Sequence, residues 1–145
     1  PAKPTAMVHL PATARSMGDY RQLIGKPWVY GQQDCYTLVR SYFKLQGIAL
    51  PDFERPEDLE TTGSIYLRQA LGLGFERVEF ERRRVGDVAI MKLGTREPMH
   101  AAIFIAPWEI LHHTRDRLSG VEWLSSYYVK SIAAVFRYAA GLSAG

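Results

Sequence analysis

Apolar and polar positions divide the chain into a helical first half and a β second half. From Asp34 to Gln46 the residues Leu38, Val39, Tyr42, Phe43 and Leu45 fall mostly on one helical face, and Gly47 supplies a stop. This segment predicts the strongest helix. A shorter one is expected over Met17 to Ile24, stopped by Gly25, Lys26 and Pro27. After Pro51, the acidic stretch with Asp52, Glu54, Glu57, Asp58 and Glu60 reads as a solvated connection, and Ser64 to Leu71 as a helix ended by Gly72 and Gly74. Then Val85 to Leu93, His100 to Ile105, Ile110 to Thr114 and Val129 to Tyr138 are runs rich in Val, Ile, Phe and Tyr, separated by breaks, and read as strands. Helices followed by strands predict an α+β fold, with an antiparallel sheet packed on the Asp34–Gln46 helix. His100 to Ile105 is apolar on both faces, the pattern of a central strand covered on both sides.

The chain has 145 residues without an internal repeat or a low-complexity linker, so one domain over residues 16–140 is expected, with loose tails at 1–15 and 141–145. With 47% hydrophobic and 23% charged residues, a disordered or fibrous chain is excluded and a real core is possible. The net charge of +3 suits an anionic partner without demanding one. No stretch reaches the ~18 consecutive apolar residues of a membrane span, and the opening segment lacks the apolar core of a signal peptide. No basic helix, zinc finger or stacking motif points to nucleic acid.

The chemistry centres on the single cysteine, which cannot form an internal disulfide. Cys35 falls in the first turn of the expected helix, where backbone N–H groups and the helix dipole favour a thiolate. A buried filler cysteine is the competing reading. Of four histidines, His9 lies in the tail, whereas His100, His112 and His113 all lie in the β region. A cysteine hydrolase needs an imidazole to take and return the thiol proton, and a third polar group to hold that ring. His100, opening the central strand, is the better base. Choosing between His112 and His113 for the third place is a question of parity, because adjacent strand residues point to opposite faces. An even hairpin loop over Ala106 to Glu109 sets Ala102 opposite His113, whereas an odd loop or a bulge puts His112 on the His100 face. A metal site from His100, His112, His113 and Asp116 is disfavoured because neighbouring strand histidines point apart, so no metal or cofactor is expected.

The run Gly25-Lys26-Pro27-Trp28-Val29-Tyr30-Gly31-Gln32-Gln33-Asp34-Cys35-Tyr36-Thr37-Leu38-Val39-Arg40 resembles the cysteine motif of the NlpC-type papain-like peptidases. Val85 to Met91 is similar to that family's Gly-Asp strand, and His100 to Ile105 to its catalytic histidine strand. His112 follows at the spacing of the family's third polar residue. The resemblance therefore implies a papain-like NlpC fold and favours His112 over His113. Trp28 stands where many members carry a tyrosine whose hydroxyl helps bind the oxyanion. Trp28 offers only an indole N–H, with Tyr30 as a substitute, and both are candidate substrate or oxyanion residues. The compact loop before Cys35, the His112-His113 pair with Arg117-Leu118-Ser119, and Tyr127-Tyr128 look most like the tail-tip members of long-tailed phages, the tail assembly protein K type.

The resemblance implies a cysteine endopeptidase that cuts an amide of the peptidoglycan stem peptide, between D-glutamate and a diamino acid, at the tip of a phage or phage-derived tail. The implied partners are stem peptides and other tail-tip proteins, and the implied role is local opening of the wall for DNA delivery. Free carboxylates on the stem suit a basic rim, for which Arg82, Arg83, Arg84, Lys92 and Arg96 are candidates against the plainer reading of a solvated turn. Two alternatives stay open: a non-catalytic or partner-activated tail component, and a papain-like transferase or deamidase. Trp108, Trp123, Tyr127 and Tyr128 are read as core more readily than as an interaction surface.

Overall fold

The computed structural model describes residues 19–52 and 74–139. The expected tails, the Ser64–Leu71 helix and most of the acidic connection lie outside them. A six-stranded antiparallel sheet has the order β1-β6-β2-β3-β4-β5, from β1 (Phe75–Val78), β2 (Val88–Met91), β3 (His100–Ala106), β4 (Glu109–His112), β5 (Gly120–Trp123) and β6 (Ile132–Tyr138). The principal helix, α1 (Cys35–Leu45), packs against β3, and a short α2 (Ser126–Ser131) precedes β6.

The start of α1 is fixed by one side chain. Asp34 Oδ1 accepts from the Thr37 backbone N–H at 3.0 Å and from its hydroxyl at 2.9 Å, while Oδ2 accepts from the Gly31 N–H at 2.8 Å. The first bond is an N-cap, which makes Cys35 the first helical residue, and the last ties the preceding loop to the same carboxylate. At the other end Gly47 takes φ +82°, while Ile48 N–H reaches the Phe43 carbonyl and Gly47 N–H that of Lys44. A left-handed closing residue of this kind favours glycine.

Leu38, Val39, Tyr42 and Phe43 of α1 pack with Val88, Ile90, Ala101, Ile103 and Leu111 on one face of the sheet. On the opposite face, Ala89, Met91, Ala102, Phe104 and Ile110 pack with Leu124, and Tyr128 and Val129 of α2 close over them. Every residue of β3 is buried, as expected for a strand covered on both sides. Asp87, at the mouth of β2, accepts from Arg137 Nε at 2.9 Å and Nη2 at 2.8 Å, and from the Arg84 N–H at 2.8 Å. This clamp joins the start of β2 to β6.

Several expectations need correction. The Met17–Ile24 helix is, among described residues, a single 3-10 turn over Tyr20–Leu23 capped by Asp19. The strand read over Val129 to Tyr138 begins only at Ile132. Before it, the Ser125 hydroxyl accepts from the Tyr128 N–H at 3.3 Å and starts the α2 turn, a local cap that outweighs the β preference of tyrosine and valine. The short strands β1 and β5 were not expected, and both form at the edges of the sheet. The side chains of Trp108, Trp123 and Tyr127 are surface rather than core, at 45%, 51% and 59% exposure.

Candidate active site

Cys35 is buried at the first position of α1, and its thiol faces the Met99 carbonyl oxygen at 3.9 Å. Met99 immediately precedes His100, the first residue of β3. The N-terminus of α1 and the opening of β3 therefore meet at one end of the sheet. Burial there leaves little water to compete for polar groups, which strengthens their mutual interactions.

The hairpin of β3 and β4 settles the parity question. Ala102 pairs with His112, and the register shifts between Phe104 and Ala106, the signature of a bulge. That extra residue turns His112 to the His100 face, as one of the two alternatives left by the sequence requires. His100 Nε2 and His112 Nδ1 lie 2.8 Å apart, with the rings edge to face at 5.0 Å between centroids. His113 points the other way, and its Nε2–H donates to the Arg117 carbonyl at 2.8 Å.

A residue absent from the sequence reading joins this pair. Glu122 Oε1 on β5 lies 2.8 Å from His112 Nε2 and accepts from the Tyr128 hydroxyl at 3.0 Å. Its neighbour on the ladder is Ile110, two residues from His112, so the carboxylate arrives diagonally across the β4–β5 pair. Only the register of an unexpected strand reveals this, although glutamate in a Val-Glu-Trp run was an available signal.

Trp28 and Tyr30 lie in the loop that runs into Cys35, their rings stacked at 6.0 Å between centroids. Arg115 places its guanidinium 5.8 Å from the Trp28 ring centroid. The chain just before this loop is stitched to the segment before β5. Gly25 N–H donates to the Ser119 carbonyl at 2.8 Å, Ser119 N–H to that of Lys26 at 2.9 Å, and Lys26 N–H to the Ser119 hydroxyl at 2.9 Å. Of the proposed basic rim, Arg82, Arg83 and Arg84 precede β2 and sit by the far end of β3 from His100, since Val88 pairs with Ile103 and Met91 with His100. Arg83 is held there between Phe80 and Trp108, with its guanidinium 4.0 and 4.6 Å from their ring centroids.

Burial pushes His100 well below the ordinary imidazole range, and the nearby His112 and His113 add to the effect. Burial also lowers His112, against the opposing pull of Glu122, and lowers His113. Burial raises the Glu122 carboxyl, but its bonds from His112 and Tyr128, with the charge of Arg117, outweigh this and leave it lowered. All three rings thus bind protons less readily in the folded protein than in the unfolded chain. Their contribution to stability is complete above the ordinary imidazole value of about 6.5 and is lost as pH falls below it, because the unfolded chain takes up protons first. The thermal unfolding midpoint is expected to fall between about pH 7.5 and 5.5, and a flat profile would contradict neutral buried rings.

Comparison with known proteins gives a consistent picture. The model of the NlpC/P60 family matches residues 25–137. The chain is 34% identical over 119 residues to the tail tip assembly protein K of Escherichia phage lambda, covering 81% of this chain and 60% of that protein. The chain thus spans a little under two-thirds of that relative's length. Among solved structures, an NLP/P60 family protein from Staphylococcus aureus, described as similar to a lipoprotein, superposes with a TM-score of 0.61 at 18% identity, covering 94% of this chain and 42% of that one. The peptidoglycan hydrolase RipB of Mycobacterium tuberculosis gives 0.57 at 19% identity, covering 93% and 71%. Both share the fold, and with the family match across most of its length, this chain belongs to the NlpC/P60 family.

Proposed function

We propose that this protein is a cysteine endopeptidase of peptidoglycan, cutting a stem-peptide amide between D-glutamate and a diamino acid, and that it serves in the tail tip of a phage or phage-derived particle. The observation that carries the reading is the meeting of Cys35, at the start of α1, with the strand end that opens on His100 and its partner His112. Similarity to the lambda tail protein supports the location, and the hydrolases sharing the fold support the substrate class.

In this reading His100 takes the proton of the Cys35 thiol, and the thiolate attacks the amide carbon. The developing oxyanion is met by the Cys35 backbone N–H at the helix start, with Trp28 and Tyr30 lining the approach. His100 returns the proton to the leaving amine, a thioester forms on Cys35, and water then releases the acid while restoring the thiol. His112 orients the His100 ring throughout.

The test is digestion of purified diaminopimelate-type peptidoglycan, with the released fragments identified by mass spectrometry. New D-glutamyl carboxyl and diaminopimelyl amino ends are expected. Intact material, or cleavage confined to the sugar chain, would overturn the assignment. The exposed side chains of Trp108, Trp123 and Tyr127 favour a second reading, a tail component that works through contacts with neighbours, and complete inactivity would turn the balance toward it.

The two neighbouring histidines make an internal comparison. His112→Ala is expected to lower kcat by about 10²-fold, because His100 loses the partner that fixes its ring. His113→Ala, which removes a bond to a backbone carbonyl, is expected to lower the melting temperature with turnover changed less than about threefold. The reverse order in steady-state kinetics would reject the strand-face assignment.

A further inference from the structure

His100, His112, Glu122 and Tyr128 form one continuous hydrogen-bonded chain carried by three adjacent strands and α2. The chemistry of its members gives it a direction. A carboxylate only accepts, so the contact between Glu122 Oε1 and His112 Nε2 places the His112 proton on Nε2. A neutral His112 ring then has a bare Nδ1, which accepts from His100 Nε2–H at 2.8 Å. His100 is left with its lone pair on Nδ1. Burial favours the neutral form of both rings, so each holds a single proton whose place is decided by its neighbours.

We propose that Glu122, held by the Tyr128 hydroxyl, is a positioning residue that sets the tautomers of both histidines in series, leaving Nδ1 of His100 as the proton acceptor for Cys35. The role in catalysis rests on the cysteine-hydrolase reading above. In the step it serves, the S–H bond of Cys35 breaks and an N–H bond forms at His100 Nδ1. The imidazolium so made keeps donating through Nε2 to His112, while the carboxylate at the end of the chain balances its charge. Tyr128 reinforces the direction because its hydroxyl proton points at the same oxygen that faces His112.

Glu122→Gln is the informative change. The amide is nearly isosteric but uncharged, and it can present N–H₂ to His112 Nε2. In that arrangement His112 carries its proton on Nδ1 and donates to His100 Nε2, which moves the His100 proton to Nδ1 and removes the acceptor. A wrong tautomer in a comparable triad costs up to about 10⁴-fold. Acting one ring further away, Glu122→Gln is expected to lower kcat by about 10²-fold with KM changed less than about threefold. Tyr128→Phe is expected to lower kcat by less than about tenfold.

The decisive readout is the pattern of ring ¹⁵N shifts in histidine-labelled protein at about pH 8. In the wild type, His100 is expected to show a bare Nδ1 and a protonated Nε2, with His112 the same. In Glu122→Gln, a substantial part of both signals is expected to move to the opposite tautomer. A merely structural role would lower the melting temperature without moving those shifts. A protonated Nδ1 on wild-type His100, or an unchanged pattern in a folded Glu122→Gln, would overturn the proposal. The nitrogen pattern needs no turnover, so it decides the tautomer assignment even if wild-type protein leaves peptidoglycan intact and the hydrolase reading fails.

Discussion

Changing Cys35 to alanine is expected to reduce the release of stem-peptide fragments by at least about 10⁴-fold, while leaving the melting temperature within a few degrees of wild type. The chain has one cysteine, so no second thiol stands ready to take over. In the proposed reaction, loss of the nucleophile removes the covalent path entirely, and His100 and the helix start would be left facing a substrate they cannot attack. The stability cost is small because a single sulfur is removed from a residue already small, and the Asp34 cap that starts α1 is untouched. Binding of the variant to insoluble peptidoglycan should persist, which separates lost chemistry from lost recognition. Fragment release above about one-hundredth of wild type would mean that the sulfur is not the nucleophile.

The largest expected effect on stability belongs to Arg137, remote in sequence from the cysteine. Its guanidinium grips both oxygens of Asp87, whose side chain is 3% exposed, and a further N–H donates to the Arg82 carbonyl at 2.8 Å. Arg137→Ala leaves that carboxylate buried with only the Arg84 N–H from this set, and breaking a buried pair on one side costs about 3–5 kcal/mol. Arg137→Lys keeps the charge but loses the two-pronged geometry, so it should recover only part of the loss. Urea unfolding of the two variants measures this directly. A loss below about 1 kcal/mol for the alanine variant would show that solvent reaches Asp87 and substitutes for the guanidinium.

The helix at Cys35 and the covered strand at His100 were legible because their signals are local and strong: a one-faced apolar repeat ending at glycine, and an unbroken apolar run. The α+β order followed from those two facts together with the later β-rich runs. What stayed hidden depends on long-range pairing. Phe75–Val78 has only four residues to express an alternation, and it becomes a strand by pairing with β6, some 60 residues later. Gly120–Trp123 contains a glycine and a glutamate, poor strand formers by themselves, yet the β4 ladder organises them. Parity at His112 hinged on a bulge that no residue type announces, and the family resemblance, rather than hydropathy, favoured the side that the register adopts. Glu122 was missed for the same reason as its strand.

The sheet order also bears on when the protein becomes what it is during synthesis. The last strand of the described chain, β6, lies between β1 and β2, so those two strands have nothing to join them until the ribosome has passed Tyr138. Cys35, by contrast, is made early, and the Ser119 residue that laces down the approach to its loop comes more than 80 positions later. Such distant closures are slow and are completed late in folding. A nascent or prematurely terminated chain therefore carries the thiol without the strand end and loop contacts that surround it in the fold, and the proposed centre would exist only once those later segments are in place.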